Sequence, residues 1–181
     1  MSRDKLTDKL LILKARLGDK SAFANIYNKY VSRLYRFAYY KTSNKEMAED
    51  LVSQTFLKMW EKILVGGQIR SLQALLYQIL RNLIIDYYRS RQRTELPLSY
   101  DLQDEGQDAT DRIHAHIDRQ LIKKALGLMN NDDYREVVIL RYIEGLSVSE
   151  VAKILDKSNN NITTISHRAL QELKKILRGY Q

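Results

Sequence analysis

The chain has 181 residues, of which 44% are hydrophobic and 29% charged, a balance typical of a soluble protein with one domain or two small ones. No apolar run approaches the roughly 18 to 20 residues that span a bilayer, and the first residues lack a signal-peptide cleavage site. We therefore expect a cytoplasmic protein without membrane insertion. Cysteine is absent, which excludes disulfides and thiolate metal sites.

The net charge of +8 favours nucleic acid or an anionic membrane as a partner, although many basic helical proteins bind neither. Residues 1–93 contain 18 Lys and Arg against 8 Asp and Glu, for a net charge of +10. Residues 94–111 contain six acids and no base, and residues 112–181 carry a net charge of +4. The middle segment also holds the only proline and several turn formers. We therefore predict two basic domains joined by a flexible acidic linker.

The spacing of the apolar residues predicts an all-α fold class, since glycine and proline are scarce and helical periodicity runs through most of the chain. The first helix is predicted at about residues 5–17, with an apolar stripe of Leu6, Leu10, Leu13 and Leu17 and an end at Gly18. A capping box of Ser43 and Glu46 is expected to begin the third helix. The other helices are predicted at about residues 21–40, 43–63, 72–91, 112–129, 132–143, 147–155 and 159–178.

The most specific local pattern lies in the second basic domain. A capping box of Ser147 and Glu150 begins a short helix, and a turn then leads to a longer helix from Asn159. This is the order of a helix-turn-helix, whose second helix can enter the major groove of DNA. Its first turns carry amides and hydroxyls, while Lys157 in the turn is a candidate for phosphate contact. The alternative is a helical hairpin that only packs against the core.

The first basic domain contains two further candidate surfaces. The helix at 72–91 places arginines beside tyrosines near its end, a combination that suits unpaired nucleic acid, although a core helix with a solvated basic end has the same composition. The helix at 43–63 carries large apolar side chains on more than one face, so it is either a core helix or a surface that docks a partner.

Three motifs, in their order and spacing, resemble the extracytoplasmic-function sigma factors, the smallest members of the bacterial sigma family. They are Glu49-Asp-Leu-Val-Ser-Gln-Thr-Phe56 with Trp60, Leu76-Tyr-Gln-Ile-Leu-Arg-Asn-Leu-Ile-Ile-Asp-Tyr87, and Val138-Ile-Leu-Arg-Tyr-Ile-Glu-Gly-Leu-Ser147 followed by Ser166-His-Arg-Ala-Leu170. The resemblance covers about residues 20–178. It implies a region 2-like domain at 1–93 and a region 4-like domain at 112–181.

The resemblance also implies partners and site residues, none of them catalytic, and no cofactor or metal. The partners are core RNA polymerase, through the β′ clamp helices and the β flap, promoter DNA, and an anti-sigma factor. The residues that bind core polymerase would be Asp50, Leu51, Ser53, Gln54, Phe56 and Trp60. Those that capture the minus-ten element as it melts would be Arg70, Arg81, Asn82, Tyr88, Arg89, Arg91 and Arg93. Those that read the minus-thirty-five element would be Lys157, Asn160, Asn161, Thr163, Thr164, His167 and Arg168. The acidic linker would lie near the RNA path of the polymerase.

The chain departs from the family pattern at several positions. Ser53-Gln54 replaces a frequent Gln-Glu pair, which removes a charge from the docking face. Leu75 replaces a common Trp, so no aromatic melting role is assigned there. In the recognition helix, Asn160 stands where Gly is usual, as a residue that tolerates the left-handed conformation, and Thr163 stands where a base is usual.

Two other classes of function are open to a chain of this composition. A helix-turn-helix repressor or activator with a helical effector domain explains residues 112–181, but it leaves the Arg/Tyr helix and the acidic segment unexplained. An enzyme is disfavoured because the chain has no glycine-rich phosphate loop and no cysteine nucleophile. His114 and His116, two residues apart, point to different faces of a helix.

Overall fold

The computed structural model describes residues 3–92 and 120–179, which belong to two compact units. Within these ranges all regular structure is helical, which confirms the predicted all-α fold class. No helix there is both long enough and apolar enough to serve as a membrane span. The acidic linker predicted at 94–111 lies outside the described residues. The first unit contains α1 (Arg3–Arg16), α2 (Lys20–Thr42), α3 (Lys45–Val65) and α4 (Leu72–Gln92).

The core of the first unit lies where α2, α3 and α4 pack together. The rings of Phe37 on α2 and Tyr77 on α4 meet edge to face, with centroids 5.5 Å apart. Both side chains are fully buried, as are Met59 on α3 and Leu76 on α4. Because each such side chain contributes about 1.5 to 3 kcal/mol when it leaves water, this packing holds the three helices in a fixed arrangement.

The face of α1 that packs against the core is not the predicted one. The predicted apolar stripe does not face the core, since Leu6, Leu10, Leu13 and Leu17 are between 53% and 87% exposed. The buried face instead contains Asp8, Leu11, Ile12 and Ala15. The Asp8 carboxylate accepts hydrogen bonds from the hydroxyl of Tyr30 at 2.6 Å and from Nζ of Lys29 at 2.8 Å. This face packs against the core, rather than the leucine stripe, because it combines apolar contacts with a carboxylate that binds the Tyr30 hydroxyl and the Lys29 ammonium group of α2.

The helix ends show how the chain turns between elements. Gly18 has φ +85°, as expected for a helix stop, and the side chain of Asp19 then caps α2. Hydrogen bonds from Ser21 hold the pKa of the Asp19 carboxyl below its ordinary value of 3.8. The predicted capping box of Ser43 and Glu46 was wrong. Ser43 takes the left-handed position after α2, at φ 54°, and the side chain of Asn44 caps α3 by accepting from the Met47 amide.

The second unit contains α5 (residues 120–127), α6 (Asp132–Val138), α7 (Val148–Leu155) and α8 (Asn159–Arg178). The predicted helix at 132–143 begins as expected, but its last part, Ile139–Ile143, is a π-helical turn. There the amide of Glu144 donates to the carbonyl oxygen of Ile139, five residues back, at 2.9 Å. The core beneath these helices is formed by Leu126, Val137, Leu140, Val151, Ile154, Ile162 and Ala169.

Candidate nucleic-acid interface

The α7–turn–α8 segment has the local geometry of a helix-turn-helix. The predicted capping box is present, because the Ser147 hydroxyl accepts from the Glu150 amide at 3.3 Å and the Glu150 carboxylate accepts from the Ser147 amide at 2.9 Å. Asp156 ends α7 in the left-handed conformation, at φ 52°, and Ser158 caps α8. Asn160, which could tolerate the left-handed conformation, does not adopt it, since the chain reverses at Asp156, four residues earlier, and Asn160 is already helical.

The exposed face of α8 is entirely polar over its first three turns. Ile162, Ile165, Ser166 and Ala169 are buried and fix which side of the helix faces the core. The six α8 residues predicted for DNA contact are all exposed: Asn160, Asn161, Thr163, Thr164, His167 and Arg168. Sequence reasoning missed Gln171, which is also exposed and whose amide nitrogen lies 3.0 Å from Nε2 of His167. Its four-residue spacing from His167 is the signal that could have found it.

Lys157, predicted for phosphate contact, has a partner within the protein. Its ammonium group lies 3.0 Å from a carboxylate oxygen of Asp133 at the start of α6, and its side chain is 25% exposed. The ion pair joins the turn of the helix-turn-helix to α6. Lys157 therefore helps to position α8, and a contact to DNA would compete with Asp133.

The residues predicted for the minus-ten element have mixed environments. Arg70, Asn82 and Arg89 are exposed, whereas Arg81 and Tyr88 are half-buried. The hydroxyl of Tyr88 donates to the carbonyl oxygen of Lys41 near the end of α2, at 2.7 Å. Its ring therefore lies against the protein, and its first role is to hold α4 to α2. Arg93 and the side chain of Arg91 lie outside the described part of the chain.

Helix α3 has one buried side and one exposed side. Of the residues predicted to bind core polymerase, Asp50, Ser53 and Gln54 are exposed. Leu51 and Phe56 are only 3% and 2% exposed, so they belong to the core behind this face and cannot contact a partner directly.

Trp60 and Leu57 are two large side chains of α3 that differ in their exposure to solvent. Trp60 is half-buried and packs its ring edge to face on Phe23 of α2, with centroids 5.2 Å apart. Leu57 is 62% exposed and lies one turn beyond Ser53 on the outward side. Sequence reasoning counted large side chains without separating inward from outward positions, and it missed Leu57 for that reason.

An open groove runs beside the exposed side of α3. Its volume is about 630 Å³, and its walls come from α2 and α3. Ser53 lies at its edge, so the groove adjoins the predicted docking residues. The groove mixes apolar, aromatic and charged groups, and it is lined by Tyr27, Val31, Ser32, Tyr35, Arg36, Glu49, Val52 and Ser53.

The exposed faces of α4 and α8 carry chemical groups that suit binding to nucleic acid. Amides, hydroxyls and guanidinium groups reach solvent from α4 and α8, where they can contact base edges and phosphates. Within residues 3–92 and 120–179, no three His, Asp or Glu side chains lie close enough together to hold a metal ion. His114 and His116 lie outside these ranges.

Comparison with protein families identifies both units. The Sigma-70 region 2 family matches residues 26–94, and the Sigma-70 region 4 family matches residues 131–173. The first match contains α3 and α4, and the second contains α7, the turn and α8 as far as residue 173.

Individual relatives agree with these matches. The chain is 32% identical to the ECF RNA polymerase sigma factor BldN of Streptomyces coelicolor over 92% of its own length, although it spans only 64% of that protein. It is 32% identical to SigM of Bacillus subtilis, covering 83% of this chain and 92% of SigM. The sigma factor RpoE of Bartonella quintana, solved with the anti-sigma factor NepR, is 28% identical with a TM-score of 0.71, covering 86% and 96% of the two chains. The chain belongs to the extracytoplasmic-function sigma factors of the sigma-70 family.

Proposed function

We propose that this chain binds core RNA polymerase in the cytoplasm and directs it to begin transcription at specific promoters. The observation that supports this most is that both matched regions present polar, exposed helix faces backed by a packed core, on α3 and on α8. The protein acts by binding, performs no covalent chemistry and needs no cofactor.

Core polymerase docks on the exposed side of α3, through the β′ clamp helices. Asp50, Ser53 and Gln54 supply hydrogen-bonding groups, and Leu57 supplies exposed apolar area. Because Leu57 does not belong to the core, its apolar area is available to a partner that covers this side of α3. The groove between α2 and α3 widens this surface.

The minus-ten element is held by α4 and by the loop before it. Gly66 and Gly67 begin this loop with φ of +88° and +103°, conformations that a side chain disfavours. Arg16 of α1 fixes the loop's base, because its guanidinium group donates to the carbonyl oxygens of Ile63 and Gly67. Arg70 in the loop and Arg89 at the far end of α4 are exposed and can hold phosphates as the strand separates.

The minus-thirty-five element is read by α8, whose exposed face enters the major groove, and the β flap holds this unit on the polymerase. Asn160 and Asn161 offer amides that can bind base edges, while Arg168 is the first basic residue of the helix. The ion pair between Lys157 and Asp133 keeps the turn in place before DNA is bound.

An anti-sigma factor keeps the chain from polymerase until a signal releases it. This proposal is supported by RpoE of Bartonella quintana, whose solved structure is a complex with the anti-sigma factor NepR. The exposed face of α3 is the surface that such a partner must cover to block docking.

Reconstituted transcription tests the proposed function. The purified chain is added to core RNA polymerase, and a promoter library is transcribed with and without it. We expect stable binding to core polymerase and specific start sites that appear only with the chain. Binding of the chain to a DNA operator without any affinity for polymerase would instead support the repressor alternative.

A further inference from the structure

The outward side of α8 has a central line of four residues. The buried residues Ile162, Ile165 and Ala169 point to the core, and in a helix each residue turns by about 100° from the one before. The residues directly opposite them are Asn160, Thr164, His167 and Gln171, all exposed. Thr163 is exposed as well, but it lies to one side of this line. DNA that approaches α8 face-on therefore meets Thr164 before Thr163.

The hydroxyl of Thr164 already has an acceptor for its proton. It donates to the carbonyl oxygen of Asn160 at 3.0 Å, one helical turn back. Thymine O4 and the O6 and N7 atoms of guanine are acceptors, so a hydroxyl engaged in this way has no proton to give them. What Thr164 still presents to a base edge is its methyl group and the lone pairs of its hydroxyl oxygen, which can only accept.

We infer that Thr164 selects a thymine in the upstream promoter element by packing its methyl group against the thymine C5-methyl group. The inference rests on the proposed function of α8. Among the four bases, only thymine carries a methyl group in the major groove, so apolar contact there discriminates by itself. Asn160, one turn earlier on the same line, carries an amide of the kind that pairs with adenine. The two residues together favour an element that contains A·T pairs.

The test uses holoenzyme assembled from core polymerase and the full chain. A preferred upstream element is selected from a randomised promoter library, and each thymine in it is then replaced singly by deoxyuridine, which lacks only the methyl group. We expect one replacement to weaken wild-type binding about fourfold, the ratio that corresponds to burying one methyl-sized group. The other replacements should change binding less than twofold.

Two substitutions at Thr164 separate its methyl group from its hydroxyl. Thr164→Val keeps a methyl group and the shape of the side chain, so both the affinity and the sensitivity to deoxyuridine should be retained. Thr164→Ser keeps the hydroxyl and loses the methyl group, so it should bind the thymine promoter about fourfold more weakly and respond no further to deoxyuridine.

Thr7→Ser is the matched control. Thr7 is an exposed threonine of α1 in the first unit, so the same loss of one methyl group occurs outside the recognition helix. This variant should keep the deoxyuridine sensitivity of the wild type. Circular dichroism verifies that all three variants remain folded.

Several outcomes overturn the inference. They are a selected element without thymine, a wild type indifferent to every deoxyuridine, loss of sensitivity in Thr7→Ser, and loss of binding in Thr164→Val with retention in Thr164→Ser. The last pattern means that the hydroxyl reads the base. Failure of the proposed function has a different signature, because a chain that does not bind core polymerase gives no specific transcripts before any thymine is replaced.

Discussion

The hydroxyl of Tyr88 donates a hydrogen bond to the carbonyl oxygen of Lys41 at 2.7 Å, joining the end of α4 to the end of α2 across 47 residues of sequence. The bond is partly buried, and it engages a carbonyl in the last turn of α2, where helices leave such groups without helical partners. The tyrosine that sequence analysis assigned to DNA therefore first positions the helix that carries Arg81 and Asn82.

Tyr88→Phe tests this positioning role. Loss of the bond should lower the free energy of unfolding by about 1 to 2 kcal/mol, because the Lys41 carbonyl loses its donor in a partly buried place. Urea unfolding measures this. Tyr27→Phe is the control in the same unit, since Tyr27 is 40% exposed and its ring contacts survive the change. Equal stability of the two variants would show that the bond contributes nothing.

The buried carboxylate of Asp8 is the second polar link in the first unit. Asp8→Ala removes the acceptor of Tyr30 and Lys29, and the buried Tyr30 hydroxyl loses its 2.6 Å hydrogen bond. We expect a loss of about 2 to 3 kcal/mol in urea unfolding. Glu61→Ala on the exposed side of α3 should change stability by about 0.5 kcal/mol or less. A similar small effect at Asp8 would mean that α1 does not depend on this link.

The orientation of α1 leads to a third prediction. Ile12→Ala should cost about 2 to 5 kcal/mol, because Ile12 is 6% exposed and its truncation leaves a cavity. Leu10→Ala should cost about 0.5 kcal/mol or less, because Leu10 is 53% exposed. Thermal or urea unfolding measures the loss of stability in each variant. If the leucine stripe were the buried face of α1, Leu10→Ala would lose more stability than Ile12→Ala.

The leucine stripe of α1 also shows which features of the fold cannot be predicted from sequence patterns. Helix positions follow from periodicity, but α1 carries apolar residues on two faces, and periodicity cannot choose between them. The choice depends on Tyr30 and Lys29 in α2, which need the Asp8 carboxylate. The buried face of α1 is therefore determined by contacts between residues distant in sequence, which the local pattern of α1 does not contain.

In the candidate sites, too, features set by local sequence could be predicted, and features set by long-range contacts could not. The helix-turn-helix geometry and the exposure of the α8 candidates could be predicted from sequence, because capping and polar composition are local. Leu51 and Phe56 could not be assigned, because inward and outward positions of α3 depend on how it packs against α2. Lys157 and Tyr88 could not be assigned either, since Asp133 and Lys41, their partners, are distant in sequence.

Charge reversal on α4 tests the proposed capture of the minus-ten strand. The double variant Arg81→Glu with Arg89→Glu should reduce open-complex formation at least tenfold while the fold survives. Arg89 and its neighbour Asp86 are 3.8 Å apart and mostly exposed, so their pairing contributes little stability. Permanganate reactivity of unpaired thymines in the promoter measures opening.

Lys20→Glu with Lys45→Glu is the matched control for this double variant. It makes the same change in net charge at two exposed lysines that begin α2 and α3, where acidic residues suit the helix dipole. Promoter opening should stay within about twofold of the wild type. If the control loses as much opening as the α4 variant, overall charge rather than the α4 surface governs melting.

Leu57 provides the sharpest test of the docking surface on α3. It is 62% exposed beside Ser53 and Gln54, so Leu57→Glu should leave the core intact and change stability by about 0.5 kcal/mol or less. If Leu57 is covered by the clamp helices, a charge buried there without a partner should weaken binding to core polymerase at least tenfold. Fluorescence anisotropy of the labelled chain with core polymerase measures the affinity.

Leu128→Glu is the control, since Leu128 is 54% exposed in the second unit and lies outside α3. Its affinity for core polymerase should remain within about twofold of the wild type. Wild-type affinity in Leu57→Glu would remove this part of α3 from the docking surface. Equal losses in both variants would mean that the added negative charge, rather than the position of Leu57, opposes binding, because an exposed charge acts on a partner from any nearby surface.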